Sequence, residues 1–198
     1  MATSYRVISS VSTGIYKDKG SRFLSFAHPA KDKNEIAELI NQYKKEHHKA
    51  RHVCYAYMLG SAREDFRVND DGEPSGTAGR PILGQINSRE LTDILVVVVR
   101  YFGGTLLGTG GLITAYKEAA ADALNQATIV EKDVLSRIHI QFDYPAIETV
   151  MQAIKNFQVE IIQQEFLDSC SMQLFVPLSN KSDLISSIEK LVEIDIVF

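Results

Sequence analysis

An uninterrupted apolar run rich in β-branched residues, Leu95–Val99, lies near the middle of the chain. Because none of its alternate positions is polar, the run predicts a strand that is buried on both faces. Polarity returns at Arg100, and the glycine-rich segment Gly103–Gly111 follows. The Ala-rich stretch Ile113–Gln126 then has the spacing of a helix. The middle of the chain therefore predicts a buried strand, a glycine loop and a helix in succession.

Shorter alternating or helical patterns predict the remaining elements of the first 135 residues. Tyr5–Ser10 and Ser21–His28 are predicted to be two strands with a polar turn between them at Lys17–Gly20. Ser75 and Thr77 are candidate N-caps of a helix that ends at Asn87. The other predicted elements are a helix at Asp32–His48 and strands at His52–Leu59, Arg63–Val68 and Ile129–Val134.

From Arg137 onward the pattern starts again and predicts a second domain. Its predicted elements are a strand at Ile138–Phe142, a helix at Ala146–Phe157, strands at Glu160–Phe166 and Cys170–Val176 with a turn at Asp168–Ser169, a helix at Asn180–Leu191 and a strand at Glu193–Phe198. The order βαββαβ is that of a ferredoxin-like domain. The sequence thus predicts an α+β protein with domains at residues 1–135 and 136–198.

Composition limits the possible partners. The formal net charge of −4 gives the protein no general attraction to nucleic acid, so RNA binding requires a local basic patch. The two cysteines, Cys54 and Cys170, lie in apolar stretches and are expected to be buried thiols. The first residues lack the apolar core of a signal peptide, and no stretch approaches the length of a membrane span. We therefore expect a cytoplasmic protein.

An acidic loop precedes the helix that ends at Asn87. Asp70, Asp71 and Glu73 stand before the first turn of this helix, where carboxylates favour the helix dipole. The alternative is that Asp71 and Glu73 hold Mg²⁺, which takes carboxylates together with phosphate oxygens. Mg²⁺ is the one cofactor that the sequence suggests.

The glycine loop is a candidate anion site. It lacks both the Lys of a Walker loop and the spacing of a dinucleotide fingerprint. Its position between a buried strand and a helix would leave backbone N–H groups free for an anion beside Arg100. The alternative is close packing that admits only glycine. The glycines concerned are Gly103, Gly104, Gly108, Gly110 and Gly111.

Histidines near the glycine loop suggest two further sites, and neither pattern is strong. His47 and His48 are neighbours on a helix and point about 100° apart, which disfavours a shared metal with His52. His52 and Cys54 lie on one face of a strand, but nothing nearby would orient the histidine as a base for the thiol. We expect His52 to lie at the edge of a central pocket.

The segments Asp71–Gly79, Arg100–Gly104 and Leu107–Leu112 together resemble the signature of the IMPACT/YigZ family. Ser21–Phe23, Ala50–His52 and Ala115–Tyr116 fit the same pattern. The resemblance implies an N-terminal sandwich like the second domain of a small-subunit ribosomal protein. It implies a C-terminal ferredoxin-like domain resembling a late domain of elongation factor G. Eukaryotic members regulate translation through protein partners, whereas the bacterial members have no assigned reaction.

Three functions fit these observations. The favoured one is a translation-associated or regulatory binding protein that contacts RNA or a ribosome-associated protein through the glycine-rich surface. The second is a Mg²⁺-dependent binder or enzyme for a small phosphorylated ligand, and the third is a protein-interaction module. We expect no membrane partner and no sequence-specific DNA recognition. The candidate ligand-binding residues are Arg22, His52, Asp71, Glu73, Ser75, Thr77, Arg100, Tyr101, Gly103, Gly104, Gly108, Gly110 and Gly111.

Overall fold

The computed structural model describes residues 2–167 and 169–189, together with the backbone of residues 195–197. The chain divides into two compact units between Lys132 and Asp133, with residues 2–4 assigned to the second unit. The domain boundary predicted between residues 135 and 136 remains a prediction. Within the described residues, no helix is both long and apolar enough to cross a membrane.

The first unit is built on a five-stranded antiparallel sheet with the order β2-β3-β6-β4-β5. Its strands are β2 (Ser12–Asp18), β3 (Ser21–Pro29), β4 (His52–Leu59), β5 (Asp65–Asn69) and β6 (Ile94–Tyr101). The central strand β6 is the apolar run of the sequence, and its residues from Ile94 to Arg100 are all buried. Burial on both faces is therefore confirmed for the strand predicted from Leu95–Val99.

Helices cover both faces of this sheet. Helix α1 (Lys33–Glu46) packs on one face, over a cluster that includes Val53, Val97 and Val99. Helices α2 (Gly79–Ser88) and α3 (Gly108–Asn125) pack on the other face, over Cys54, Val96 and Val98. Because side chains alternate along a strand, each residue at the end of β4 or β6 belongs to one of these two layers.

The N-terminal strands differ from the prediction. β1 (Ser4–Ile8) pairs with β7 (Ile129–Asp133) in a separate two-stranded sheet. The partner of β3 in the hairpin is β2, a polar and glycine-containing strand that the hydrophobic pattern does not mark. Gly14 lets this strand lie against α3, since a Cβ there would be 2.4 Å from the backbone nitrogen of Ala123.

The start of α3 also differs from the prediction. The helix begins at Gly108, five residues before the predicted start at Ile113. The low helix propensity of glycine hid this first turn in the sequence. Gly108, Gly110 and Gly111 therefore belong to the helix rather than to the loop before it.

The second unit has the predicted ferredoxin-like order, with a four-stranded antiparallel sheet in the order β11-β8-β10-β9. Its elements are β8 (Leu135–Phe142), a 3₁₀ turn (Tyr144–Ala146), α4 (Ile147–Lys155), β9 (Glu160–Phe166), β10 (Cys170–Pro177), α5 (Lys181–Glu189) and β11 (Asp195–Val197). Asp168 of the predicted turn, residues 190–191 of the predicted helix, and residues 193, 194 and 198 of the predicted last strand lie outside the described residues. The α+β fold class is confirmed.

Candidate functional site

The site lies at one end of the five-stranded sheet, on the face covered by α2 and α3. His52 of β4 and Phe23 of β3 are both cross-strand partners of Arg100 on β6. Residues opposite each other in an antiparallel sheet present their side chains on the same face. Strand register therefore places the imidazole, the guanidinium and the aromatic ring side by side.

A buried carboxylate holds this row of side chains together. Glu73 Oε1 accepts hydrogen bonds from Arg100 Nη1 at 2.6 Å and from the Tyr116 hydroxyl at 2.8 Å. The Glu73 and Arg100 side chains are only 3% and 6% exposed, so the ion pair is shielded from water. The Nε atom of Arg100 is buried and has no hydrogen-bond partner among the described residues. This guanidinium thus retains an unused donor.

The tautomer of His52 follows from its neighbours. Its Nδ1 lies 2.8 Å from the carbonyl oxygen of Asp71, which can only accept a hydrogen bond, so Nδ1 carries the proton. In the neutral ring, Nε2 is then left with its lone pair, 3.8 Å from Glu73 Oε1. The imidazole can accept a proton through Nε2 without rotating.

Cys54 lies on the same face of β4 as His52, but the hydrogen bonds of its thiol are to other groups. Its thiol is hydrogen bonded to the carbonyl oxygen of Asp70 at 3.0 Å and to the Tyr116 hydroxyl at 3.3 Å. Burial raises the pKa of the Cys54 thiol, and burial likewise raises the pKa of Tyr116. Both groups are therefore neutral at pH 7. Cys170 is likewise a buried free thiol.

Asp70 of the acidic loop caps the N-terminus of α2. Asp70 Oδ1 accepts hydrogen bonds from the backbone N–H groups of Ala78 and Gly79, and Oδ2 accepts one from Gly76. Burial tends to raise the pKa of the Asp70 carboxyl, but these three donors, helped by Arg80, outweigh it and lower the pKa. The backbone N–H groups at the N-terminus of α2 are consequently bound by a carboxylate of the protein itself.

Ser75 and Thr77 do not cap α2. Ser75 is exposed, and the Thr77 hydroxyl donates to the carbonyl oxygen of Pro74 at 2.7 Å. The prediction of a side-chain cap at these two positions is wrong, because the carboxylate of Asp70 reaches the same N–H groups from several residues upstream.

Asp71 and Glu73 bind different partners within the protein. Asp71 Oδ2 accepts a hydrogen bond from the backbone N–H of Val53 at 2.7 Å, and Oδ1 pairs with Lys44 Nζ at 3.0 Å. Within the part of the chain that is described, no group of three or more His, Cys, Asp or Glu residues could hold a metal ion. The Mg²⁺ site at Asp71 and Glu73 remains a prediction, and these contacts give it no support.

The N-terminus of α3, unlike that of α2, is not capped by any side chain of the described residues. No such side chain hydrogen bonds to its first N–H groups, and its first turn contains no acidic residue. Gly108 and Thr109 of this first turn line a cavity of about 360 Å³. Cationic groups and apolar side chains share its wall, and the lining residues are Arg51, His52, Gly72, Glu73, Pro74, Arg100, Phe102, Leu106, Leu107, Gly108, Thr109 and Leu112. We call this cavity the central pocket.

The glycines of the loop have different roles. A Cβ at Gly103 would lie 1.9 Å from the backbone carbon of Gly20, so Gly103 is required for close packing against the β2–β3 turn. Gly108 adopts a φ of +70°, which favours glycine. Gly110 has neither constraint, since a Cβ there would contact nothing within 4 Å. The packing alternative thus accounts for Gly103 and leaves Gly110 unexplained by the fold.

Two predicted site residues lie on the opposite face of the sheet. Arg22 and Tyr101 are cross-strand partners, and Tyr101 packs with the cluster under α1. The Arg22 guanidinium lies 5.5 Å from the centre of the Tyr101 ring, and the Tyr101 hydroxyl is hydrogen bonded to His47 Nδ1 at 2.8 Å. The residues predicted as one surface are therefore divided between two faces at one end of the sheet.

The prediction missed Tyr116 and Arg51 as parts of the site. Tyr116 falls within the apolar stripe of α3, and the spacing of this stripe could have placed its hydroxyl on the inner face. Arg51 lies within Ala50–His52, a segment that fits the family pattern, and this resemblance was the signal for it in the sequence.

Comparisons with known proteins agree with the resemblance seen in the sequence. Residues 19–124 match the Impact N-terminal domain family. The chain is 35% identical to the IMPACT family member YvyE of Bacillus subtilis over 156 residues, which cover 79% of this chain and 72% of that protein. It is 31% identical to the IMPACT family member YigZ of Escherichia coli over 173 residues, which cover 86% of this chain and 85% of that protein.

Eukaryotic relatives match over a shorter stretch. The Saccharomyces cerevisiae protein IMPACT homolog is 32% identical over 96 residues, which cover 46% of this chain and 36% of that protein. Among solved structures, a crystal structure described as a hypothetical protein superimposes with a TM-score of 0.79 at 27% identity, covering 100% of this chain and 98% of its own. The family resemblance and the fold class are both confirmed.

Proposed function

Because the chain belongs to the IMPACT family, we propose that it is a regulatory, translation-associated binding protein that holds a phosphate group of RNA in the central pocket. The observation that carries this proposal is the uncapped N-terminus of α3 beside the buried Arg100, whose Nε has no partner among the described residues. Free helix N–H groups and a guanidinium are the donors that bind phosphate in many proteins.

Local charge supports an anion in the pocket despite the acidic protein. Arg51 lines the pocket, and Glu73, the carboxylate among its described lining residues, is already paired with Arg100. The dipole of α3, an 18-residue helix, adds about half a positive charge at this end. The other side chains of the pocket wall are mainly apolar. They include Phe102, which is 42% exposed and offers a ring on which a base could stack.

Gly110 supports the same assignment. The fold does not need glycine at this position, which directly follows the pocket residues Gly108 and Thr109, and a Cβ there would contact nothing within 4 Å. Glycine at such a point allows a ligand to approach the backbone closely. A phosphate oxygen bound by the N–H groups of this turn requires that approach.

The test is the binding of an octauridylate to the intact protein over about 50 to 200 mM salt, where counterion release makes phosphate binding steeply salt-dependent. Thr109→Glu places a carboxylate at the N-terminus of α3, which favours the helix but repels the phosphate. Like charges about 4 Å apart repel by about 1 to 4 kcal/mol, so we expect a weakening of about fivefold or more.

Thr114→Glu is the matched control, since it makes the same change at an exposed site on α3 about 7.5 Å further along the axis. We expect this variant to bind nearly as well as the wild type. Equal binding by both variants, or no RNA binding at low salt, contradicts the proposed function.

A small phosphorylated ligand is the second candidate, because a pocket of about 360 Å³ is within the size range of small-molecule sites and His52 Nε2 is available as a proton acceptor. In this alternative, Asp71 and Glu73 would bring Mg²⁺ to the phosphate. Uridine 5′-monophosphate that binds only with Mg²⁺, and not to Asp71→Asn, supports this candidate. Binding that is independent of Mg²⁺ contradicts it.

A further inference from the structure

A second surface rich in cations lies on the other face of the sheet, beside the central pocket. Lys17 of β2 is the cross-strand partner of Arg22, and Arg22 is the partner of Tyr101. Successive partners share one face, so these three side chains form a row that ends at His47 of the α1–β4 loop. We call Lys17, Arg22, His47 and Tyr101 the Tyr101 patch.

Lys17 and Arg22 of the Tyr101 patch have no acidic partner among the described residues. Two acids neighbour patch residues in the sequence: Asp18 points to the opposite face because side chains alternate along β2, and Glu46 accepts a hydrogen bond from Gln42 Nε2 at 2.8 Å. The patch can therefore attract a phosphate backbone even though the whole protein is acidic.

The ring of Tyr101 is held in a fixed orientation. Its hydroxyl is hydrogen bonded to His47 Nδ1 at 2.8 Å, and the His47 ring is stacked on Tyr43 with an interplanar angle of 10°. The guanidinium of Arg22 lies 5.5 Å from the ring centre of Tyr101. A rigid, partly exposed aromatic ring beside a cation is the arrangement on which unpaired bases stack.

The patch and the pocket are continuous around the end of the sheet. Arg100 and Tyr101 are consecutive residues of β6 whose side chains point to opposite faces. The short α1–β4 loop provides a second connection, since His47 contacts Tyr101 on one face and Arg51 lines the pocket on the other. One extended ligand could touch both faces only by bending around this end.

We propose that the RNA ligand is a single strand that bends around this end of the sheet. One phosphate lies at the N-terminus of α3, a neighbouring base stacks on Tyr101, and Lys17 and Arg22 contact the backbone beyond it. This inference rests on the proposed function and adds that the ligand is a polymer of about four nucleotides or more. A duplex is too wide and stiff to follow the turn, and a mononucleotide fills the pocket alone.

The test compares uridine 5′-monophosphate with an octauridylate, by calorimetric titration of the full chain. Arg22→Glu should weaken octauridylate binding and flatten its dependence on log salt by about 0.7 for each phosphate that the variant no longer neutralises. It should leave the affinity for the mononucleotide unchanged. Arg67→Glu is the matched control, because it makes the same substitution at an exposed position on β5, the opposite edge strand.

Tyrosine variants separate stacking from charge. Tyr101→Leu should weaken octauridylate binding about fivefold to 150-fold, the effect of removing the ring under one stacked base. Tyr101→Phe keeps the ring, removes the hydrogen bond to His47 and should retain most of the affinity. Circular dichroism identifies a variant that fails to fold, in which case Arg22→Glu and Tyr101→Phe still decide the question.

The outcomes separate this inference from the proposed function. If Thr109→Glu abolishes binding of both ligands while Arg22→Glu behaves like Arg67→Glu, the pocket binds phosphate and the path across the Tyr101 patch is wrong. If the octauridylate binds no more tightly than the mononucleotide, the path across the Tyr101 patch is likewise wrong. If neither ligand binds the wild-type protein, both proposals are overturned.

Discussion

His52 and Arg100 are cross-strand partners on β4 and β6, and both side chains approach the same oxygen of Glu73, at 3.8 Å and 2.6 Å. The register of the central strands thus fixes two sides of the pocket, and a loop carboxylate between β5 and α2 joins them. The loop is held in turn by Asp70 at α2 and by Asp71 at β4. The Glu73 side of the pocket is therefore anchored to the folded core, while Phe102 and Leu106, which lie between β6 and α3, form its exposed side.

The buried ion pair predicts a large decrease in stability when one partner is removed. Glu73→Gln leaves the Arg100 guanidinium buried without a counter-charge, so we expect the free energy of unfolding to fall by about 3 to 5 kcal/mol. Urea denaturation measures this change. Glu131→Gln, at an exposed position on β7, is the control and should change stability by less than about 0.5 kcal/mol.

The double variant Glu73→Gln with Arg100→Met sharpens this test. Replacing both charged partners removes the uncompensated charge, so the double variant should be more stable than Glu73→Gln alone. A decrease that equals the sum of the two single changes would show that the pair does not act as a unit.

Asp70→Asn should destabilise the protein in a pH-dependent manner. Asp70 accepts through both carboxylate oxygens, and an asparagine offers only one acceptor oxygen, so we expect the free energy of unfolding to fall by about 1 to 3 kcal/mol at neutral pH. Because folding lowers the pKa of Asp70, its contribution is complete above the ordinary value of 3.8 and is lost as pH falls through the lower folded-state pKa. The stability of the two proteins should therefore converge in strong acid.

Urea denaturation of wild type and Asp70→Asn over a pH series measures this convergence. Asp133→Asn, at an exposed position at the end of β7, is the matched control. A difference between wild type and Asp70→Asn that stays constant from neutral pH to strong acid would rule out the ionised cap.

Gly110→Ala should stabilise the protein and weaken RNA binding. Alanine fits the open space and reduces the entropy of the unfolded chain, so we expect a gain of about 0.4 to 1 kcal/mol. If a phosphate oxygen bound by the first turn of α3 approaches the backbone here, the added methyl group obstructs it. Gly103→Ala is the contrasting variant and should destabilise the fold, because its Cβ would overlap the backbone of Gly20. Normal RNA binding by Gly110→Ala would argue against close approach at this turn.

The sequence was most informative where one hydrophobic pattern, either that of a buried strand or that of an amphipathic helix, extends over a whole element. The strand β6 and the helix α1 were predicted almost to their ends, because one is apolar throughout and the other has a clear stripe and an Asp32 cap. The pattern failed for β2, whose apolar residues are few and whose burial comes from α3, about a hundred residues later in the chain. It also failed at the first turn of α3, where glycines conceal a helix.

The candidate site was predicted in composition but not in arrangement. The residues around Glu73 and Arg100 were recognised, yet the bond between them joins positions 27 residues apart, which local patterns cannot show. The cap provided by Asp70 was hidden in the same way. The alternation of Arg100 and Tyr101 along β6, in contrast, already implied that these two predicted site residues face opposite sides of the sheet.

The most direct test of the central claim is a nitrogen-15 NMR titration of the full chain with the octauridylate. If the N-terminus of α3 holds a phosphate, the backbone amide signals of Gly108, Thr109 and Gly110 should shift and saturate together with the affinity measured by calorimetry. Amide shifts confined to other parts of the protein, with these three signals unmoved at saturation, would contradict the account.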